Sequence, residues 1–118
     1  MAKFRFQDLE IWQLAIEIGD SLFDIADQLE QKKLFRFADQ LRGAGMSMSN
    51  NIAEGSGSFS NPEFKHYLNI ARRSVFENVN ILIILNRRKL LSDVELNNLF
   101  EQLDLLSRKI TSFRNSLN

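Results

Sequence analysis

The chain has 118 residues, with 15 basic and 15 acidic side chains, so its formal net charge is zero. A neutral total argues against a strongly basic nucleic-acid binder, and the lack of cysteine excludes disulfides and thiolate metal sites. The length predicts one domain, residues 1–118, that buries a core without cross-links.

The first predicted helix covers residues 8–30, with Asp8 as its N-cap. Two neighbouring apolar stripes follow helical spacing along it and make a wide apolar face. The stripes are Leu9, Trp12, Ile16, Gly19, Phe23, Ala26 and Ile11, Ala15, Ile18, Leu22, Ile25, Leu29. One stripe suffices for a bundle core, so the second predicts a further partner within the domain or from another subunit.

The second predicted helix covers residues 34–54 and is rich in small residues. Gly43 and Gly45 each disfavour the helix by about 1 kcal/mol relative to alanine. The sequence leaves two interpretations open, namely a close approach of another helix or a local bend. A break at these glycines would turn the fold into a three-helix array.

A glycine- and serine-rich loop beginning at Gly55 precedes a third predicted helix, residues 61–88. Its cap is Ser60 or Asn61, since Pro62 and the Ser60–Glu63 spacing place the start one residue apart. Ser92 and Glu95 form a capping box for the fourth helix, residues 93–117. Short connections predict an all-α, up-down-up-down antiparallel four-helix bundle.

Charge is unevenly distributed along the chain. Residues 7–31 contain seven acidic and no basic side chains, whereas residues 32–89 contain ten basic and four acidic ones. The candidate RNA-binding residues are Lys32, Lys33, Arg36, Arg72, Arg73, Arg87, Arg88 and Lys89, with Lys65 beside them. Clustered cations suit phosphates, but few aromatic residues interleave them, and solvated helix faces are the simpler interpretation.

Polar residues on or near apolar stripes indicate structural roles. We single out Arg42, Asn51, Glu54, Glu77 and Asn78. A carboxylate on an apolar face needs a partner, because unpaired burial costs several kcal/mol, so we expect Glu77 to meet Arg42 or Asn51 inside the bundle. The alternative is that Glu77 lies at a water-exposed edge.

Catalytic and metal sites find little support. Glu63 and His66 have the spacing of a di-iron ligand pair, but such a site needs a second pair and two more carboxylates, and the chain has one histidine. Gly55-Ser-Gly lacks the lysine of a phosphate loop. We therefore expect no cofactor, no metal and no enzymatic activity, with a metal-dependent bundle enzyme as a remote alternative.

Three segments resemble the small bacterial four-helix-bundle family named for proteins encoded by intervening sequences in 23S ribosomal RNA genes. The segments are Phe6-x-Asp8-Leu9-x-Ile11-Trp12-Gln13-x-Ala15, then Gln40-Leu41-Arg42 with Asn51-Ile52-Ala53-Glu54-Gly55, and Glu63-Phe64-x-x-Tyr67-Leu68 continuing to Glu77. The chain departs from the family pattern at Gly43, Ser49 and Arg73, where arginine, proline and glycine are usual. The missing arginine weakens an RNA-binding argument, and the missing proline weakens the case for a bend.

The resemblance implies a ring-shaped homopentamer and no catalytic activity. It extends to an accessory protein of diversity-generating retroelements that binds nucleic acid but is distinctly basic. The prediction is a non-enzymatic, cytoplasmic oligomer without a membrane partner, associated with RNA or, alternatively, acting as a protein-binding scaffold. No signal-peptide-like segment and no run of eighteen uncharged apolar residues occurs in the chain, in keeping with this.

Overall fold

The computed structural model describes all residues, 1–118, and consists of four α-helices without strands. After a 3-10 turn at Arg5–Asp8 come α1 (Glu10–Gln31), α2 (Phe35–Ser56), α3 (Asn61–Arg87) and α4 (Asp93–Ser116). Consecutive helices pack against each other, and α4 closes the bundle against α1. The predicted four-helix bundle is confirmed.

The pairing of helix ends follows from contacts between distant residues. Lys109 near the end of α4 binds Glu10 at the start of α1 at 2.6 Å, and Phe113 packs edge-on against Phe64 of α3 with ring centroids 5.5 Å apart. Neighbouring helices are therefore antiparallel. As a result, the α1–α2 and α3–α4 turns lie at one end of the bundle, and the α2–α3 loop lies at the other.

The core is built from one stripe of each helix, as the periodicity predicts. On α3 the residues with three- and four-residue spacing are all buried, and they include a fully buried asparagine, Asn78. This stripe consists of Phe64, Leu68, Ala71, Val75, Asn78, Leu82 and Leu85. On α1 the stripe running from Ile11 to Leu29 is buried. Burial of these side chains supplies the main driving force for the fold.

The second stripe of α1 is covered mostly within the same chain. A Cβ placed at Gly19 would lie 3.7 Å from the backbone oxygen of Gly45, so α1 and α2 approach closely here. Gly19 and Ala26 are buried, and only Ile16 of this stripe counts as exposed, at 36%. The partner that covers this stripe is therefore mainly the rest of the same chain, and burial of the stripe does not require another subunit.

Two observed helix ends, the start of α1 and the end of α2, differ from the predicted ones by two residues, and the others agree to within one residue. Asp8 does not cap α1, because the chain first makes the 3-10 turn and Leu9 occupies the N-cap position; Asp8 pairs with Lys3 at 2.7 Å instead. The second helix does not break or stop before Gly55 but runs on to Ser56, and Gly55 packs tightly against α3. Ser60 and Ser92 cap α3 and α4 through the backbone N–H groups of Glu63 and Glu95.

Candidate nucleic-acid interface

The α1–α2 turn is a Schellman motif with a lysine at its left-handed position. The backbone N–H of Lys33 donates to the carbonyl oxygen of Glu30 at 2.8 Å, and that of Leu34 donates to Leu29 at 2.9 Å. Lys33 has φ of 63°, while Leu34 packs on the core. The turn thus ends α1 and leaves Lys33 exposed.

The α3–α4 turn repeats this arrangement. The backbone N–H of Lys89 donates to Asn86 and that of Leu90 to Leu85, each at 2.9 Å. Lys89 has φ of 61°, and Leu90 packs on the core in the way that Leu34 does. The two turns are therefore equivalent in backbone geometry and in the kind of residue at each position.

Lysine is an unfavourable choice at both left-handed positions. Glycine is usual there because any Cβ costs about 1 kcal/mol or more in this conformation. Lys33 and Lys89 are the two non-glycine residues with positive φ in the chain. Non-glycine residues in strained conformations cluster at functional sites, which draws attention to this end of the bundle.

Six basic side chains share this end, which we call the cationic end. All are exposed, and none forms an ion pair within the chain. The cationic end consists of Lys32, Lys33, Arg36, Arg87, Arg88 and Lys89. The antiparallel topology thus brings together cations that are far apart in sequence.

Nearby carboxylates are already occupied. Arg42 of α2 donates to Asp27 at 2.8 Å and to Glu30 at 3.0 Å, both near the end of α1. The hydrogen bonds with Asp27 and then Glu30 raise the pKa of the Arg42 guanidinium above its ordinary value. Asp39 lies 3.6 Å from the same guanidinium, so Arg42 offsets part of the charge of three carboxylates near the cationic end.

The remaining acidic groups at this end belong to the start of α4. Asp93 accepts a hydrogen bond from the Asn86 side-chain amide at 2.7 Å, and the Glu95 carboxylate accepts one from the Ser92 hydroxyl at 3.2 Å. These bonds tie both carboxylates to the cap of α4, where they face the positive end of that helix. Neither carboxylate forms an ion pair, so both keep their negative charge, and the six unpaired cations outnumber them at this end.

Arg72 and Arg73, also predicted as RNA-binding residues, lie elsewhere. At 1.5 Å per residue, Arg72 is about 22 Å along α3 from Arg87. Its guanidinium lies over the Phe76 ring, 4.9 Å from the centroid. Together with His66 and Asn69, the two arginines border a shallow surface depression. The predicted set therefore divides into the cationic end and a separate mid-helix pair.

Phe35 is a feature of the cationic end that sequence reasoning missed. It is 56% exposed and stands between Lys33 and Arg36 as the first residue of α2. Its neighbours Leu34 and Phe37 pack against the core instead. The signal was present in the sequence, since Phe35 falls outside the apolar stripe of Leu34, Phe37, Ala38 and Leu41.

The polar residues predicted to link helices two and three do not connect these helices in the structure. Glu77 is exposed and forms no ion pair, so its expected contact with Arg42 or Asn51 is wrong; Arg42 faces α1. Asn51 donates to the backbone oxygen of Ser47 at 2.8 Å, on its own helix. Glu54 is exposed without a side-chain partner.

The link between α2 and α3 is made by smaller groups. The Ser47 and Ser74 hydroxyls lie 2.8 Å apart, and Asn78 reaches the Ala44 carbonyl oxygen at 2.8 Å. These side chains are short enough to bond inside the seam without carrying charge into it. Carboxylates avoid the seam because their desolvation there would be unfavourable.

Glu63 and His66 are exposed in the first turn of α3. The structure brings no three histidine, cysteine or acidic side chains into a cluster that would hold a metal ion. No helix combines the length and apolar character needed to cross a membrane.

Comparison with known proteins agrees with the sequence motifs. No curated protein matches the chain at a significant level. Among protein families, residues 7–112 match the one described as 23S rRNA-intervening sequence protein. This match spans all of α1 to α3 and most of α4, so the chain belongs to the 23S rRNA-intervening sequence protein family.

Proposed function

We propose that this protein is a non-enzymatic, oligomeric accessory protein that associates with RNA through its cationic end. The observation that carries the proposal is the pair of left-handed lysines, Lys33 and Lys89, at equivalent turns among six exposed, unpaired cations. Glycine is usual at such a position, and a lysine there places a cation at the end of a helix, where the helix dipole favours positive charge. Polyanions are the partners that clustered lysine and arginine attract.

The energetic basis is the release of counterions from nucleic acid. Each phosphate that a cation neutralises on a single strand contributes a slope of about −0.7 to the dependence of log affinity on log salt. Cations already in ion pairs contribute less, because they exchange one partner for another. The cationic end has none of its six side chains in such pairs. Lys65, Arg72 and Arg73 are unpaired as well, but they lie apart along α3, so the cationic end is favoured as the larger cluster.

The test compares two double variants of equal charge. Lys33→Gly with Lys89→Gly removes two cations from the cationic end and relieves both left-handed positions. Lys3→Gln with Arg108→Gln removes two cations that are paired with Asp8 and Asp104 at 2.7 and 3.0 Å. We expect the first variant to bind RNA more weakly with a shallower salt slope, and the second to bind as the unmodified protein does.

Two results would overturn this assignment. Absence of RNA binding by the unmodified protein at low salt would end the RNA proposal altogether. An equal loss in both double variants would mean that net charge, rather than the cationic end, governs binding.

We also propose that the protein is a homo-oligomer, a pentamer by the family resemblance. Apolar side chains on the outer surface of α3 support self-association: Phe76, Ile83 and Ile84 are 53, 38 and 39% exposed. A cyclic assembly would present one cationic end per subunit and strengthen RNA binding through multivalency. Light scattering of the purified protein measures the mass, and a monomer at micromolar concentration would contradict the proposal.

A protein-binding scaffold is the second candidate, favoured by a cleft between α3 and α4. The cleft has a volume of about 410 Å³ and a largely apolar lining: Val75, Phe76, Val79, Phe100 and Leu103. Apolar clefts of this kind accept partner side chains. RNA retention at low salt distinguishes the candidates, since a scaffold without nucleic-acid binding would retain none.

A further inference from the structure

We infer that Phe35 is a stacking platform for an unpaired base, so the cationic end takes single-stranded rather than duplex RNA. The inference rests on the proposed RNA association and deepens it. It joins two observations: an exposed aromatic ring at the start of α2, and the unpaired cations Lys33 and Arg36, two residues before it and one residue after it in sequence.

The Phe35 ring is free of the contacts that occupy other exposed aromatic rings. Phe4 stacks on Phe6 with centroids 6.1 Å apart, and Phe76 lies under the Arg72 guanidinium. Phe35 makes neither an aromatic nor a cation contact of this kind. Its face is therefore available to a planar ligand.

Location separates Phe35 from the one comparable ring. Phe59 is also exposed and without aromatic or cation contacts, but it lies in the α2–α3 loop at the opposite end of the bundle. Its sequence neighbours there are Gly57, Ser58, Ser60 and Asn61, none of which is charged. A single exposed apolar side chain is ordinary on a protein surface. An exposed ring between free cations has the composition of a single-strand binding site.

The strandedness follows from base geometry. In a duplex each base face is covered by the next base pair, so a ring on a protein surface reaches it only at an open end. In a single strand the faces are free, and stacking on an aromatic side chain contributes independently of sequence. Lys32, Lys33 and Arg36 would meet the phosphates that flank the stacked base.

The experiment measures fluorescence anisotropy with two labelled probes, a 20-nucleotide oligouridylate and a blunt RNA duplex of equal length. The variants are Phe35→Ala, Phe35→Trp and, as a matched control, Phe59→Ala. We expect Phe35→Ala to weaken binding of the single strand by about tenfold, the strength of one stacked base. Its salt slope stays unchanged because no phosphate contact is lost. Phe35→Trp retains the affinity, and Phe59→Ala leaves it unaltered.

The outcomes separate this inference from the proposed function. Single-strand binding by Phe35→Ala equal to that of the unmodified protein, or tighter binding of the duplex, overturns the stacking role while RNA association stands. Loss of affinity in both Phe35→Ala and Phe59→Ala also overturns it. Lack of salt-dependent binding to either probe overturns RNA association itself. Because Phe35 is exposed, unchanged thermal unfolding of Phe35→Ala verifies that the variant is folded.

Discussion

Asn78 on α3 donates a hydrogen bond from its side-chain amide to the backbone oxygen of Ala44 on α2, at 2.8 Å. The same nitrogen donates to the Ser74 carbonyl oxygen at 2.8 Å. Asn78 is fully buried, and its Oδ1 atom has no hydrogen-bond partner. Because the Asn78 amide bonds to one carbonyl oxygen on each helix, it fixes the position of α3 along α2.

Substituting Asn78 with aspartate is expected to destabilise the fold strongly. The carboxylate cannot donate to Ala44 and would be buried without a partner, which costs about 3–5 kcal/mol in the free energy of unfolding at pH 7. Burial raises the pKa of such a carboxyl above its unfolded value of about 4. The destabilisation should therefore be smallest below pH 4 and grow as the pH rises towards the folded pKa. Urea denaturation at several pH values measures it.

Asn80 provides the matched control for this substitution. It lies two residues further along α3 and is exposed. Asn80→Asp should change the free energy of unfolding by about 0.5 kcal/mol or less, as surface substitutions usually do. Equal effects at the two positions would contradict the registering role of Asn78.

Glycines at three positions of α2 are expected to respond in opposite ways to alanine. A Cβ at Gly55 would lie 2.7 Å from Cβ of Tyr67 and 2.8 Å from Cδ1 of Phe64, whereas one at Gly43 would meet nothing within 4 Å. Gly55→Ala should cost about 1–3 kcal/mol through overpacking. Gly43→Ala should stabilise by about 0.5–1 kcal/mol because alanine favours the helix.

Thermal unfolding of Gly55→Ala and Gly43→Ala measures the change in stability that each substitution causes. Gly45→Ala should fall between them, since its Cβ would lie 3.3 Å from Cδ1 of Leu22, the end of a flexible side chain. Stabilisation by Gly55→Ala would mean that α2 and α3 are further apart than the structure has them.

Lys33→Gly is expected to raise the free energy of unfolding by about 1 kcal/mol, since glycine adopts the left-handed conformation without penalty. The control is Lys32→Gly, at the preceding residue with φ of −85°. Glycine has no advantage there and enlarges the conformational freedom of the unfolded chain, so this variant should be less stable. Chemical denaturation of the two variants checks the sign. A less stable Lys33→Gly would remove the conformational argument for a functional lysine.

Arg42 is expected to couple to α1 and not to Glu77. The double-mutant cycle of Arg42→Met with Asp27→Asn should be non-additive, because the two groups share a 2.8 Å ion pair. The cycle of Arg42→Met with Glu77→Gln should be additive, since Glu77 is exposed and unpaired. The opposite pattern in unfolding measurements would restore the contact predicted from sequence.

The helices and their buried faces were predictable because apolar spacing of three and four residues is a local property of the chain. The stripe from Phe64 to Leu85 was predicted in full, and the caps at Ser60 and Ser92 followed from short-range chemistry. The prediction of Asp8 as the cap was wrong because Arg5–Asp8 forms a 3-10 turn of its own. The Phe6 ring of this turn packs against Trp12 of α1, with ring centroids 5.1 Å apart. The preference of aspartate for the N-cap position is weaker than such packing contacts when the two compete.

Helical periodicity, the three motifs and the composition predict the bundle, its family and the set of basic residues. The three-dimensional arrangement is needed to show which basic residues lie together, because neighbours in space depend on how the antiparallel helices align. It joined the turns of Lys33 and Lys89 at one end, left Arg72 apart, turned Arg42 towards α1 and buried Asn78 against Ala44. It also distinguished Gly43, which has open space, from Gly55, which has none. Helical periodicity specifies which face of a helix is buried, whereas the identity of each contact depends on residues far away in the chain.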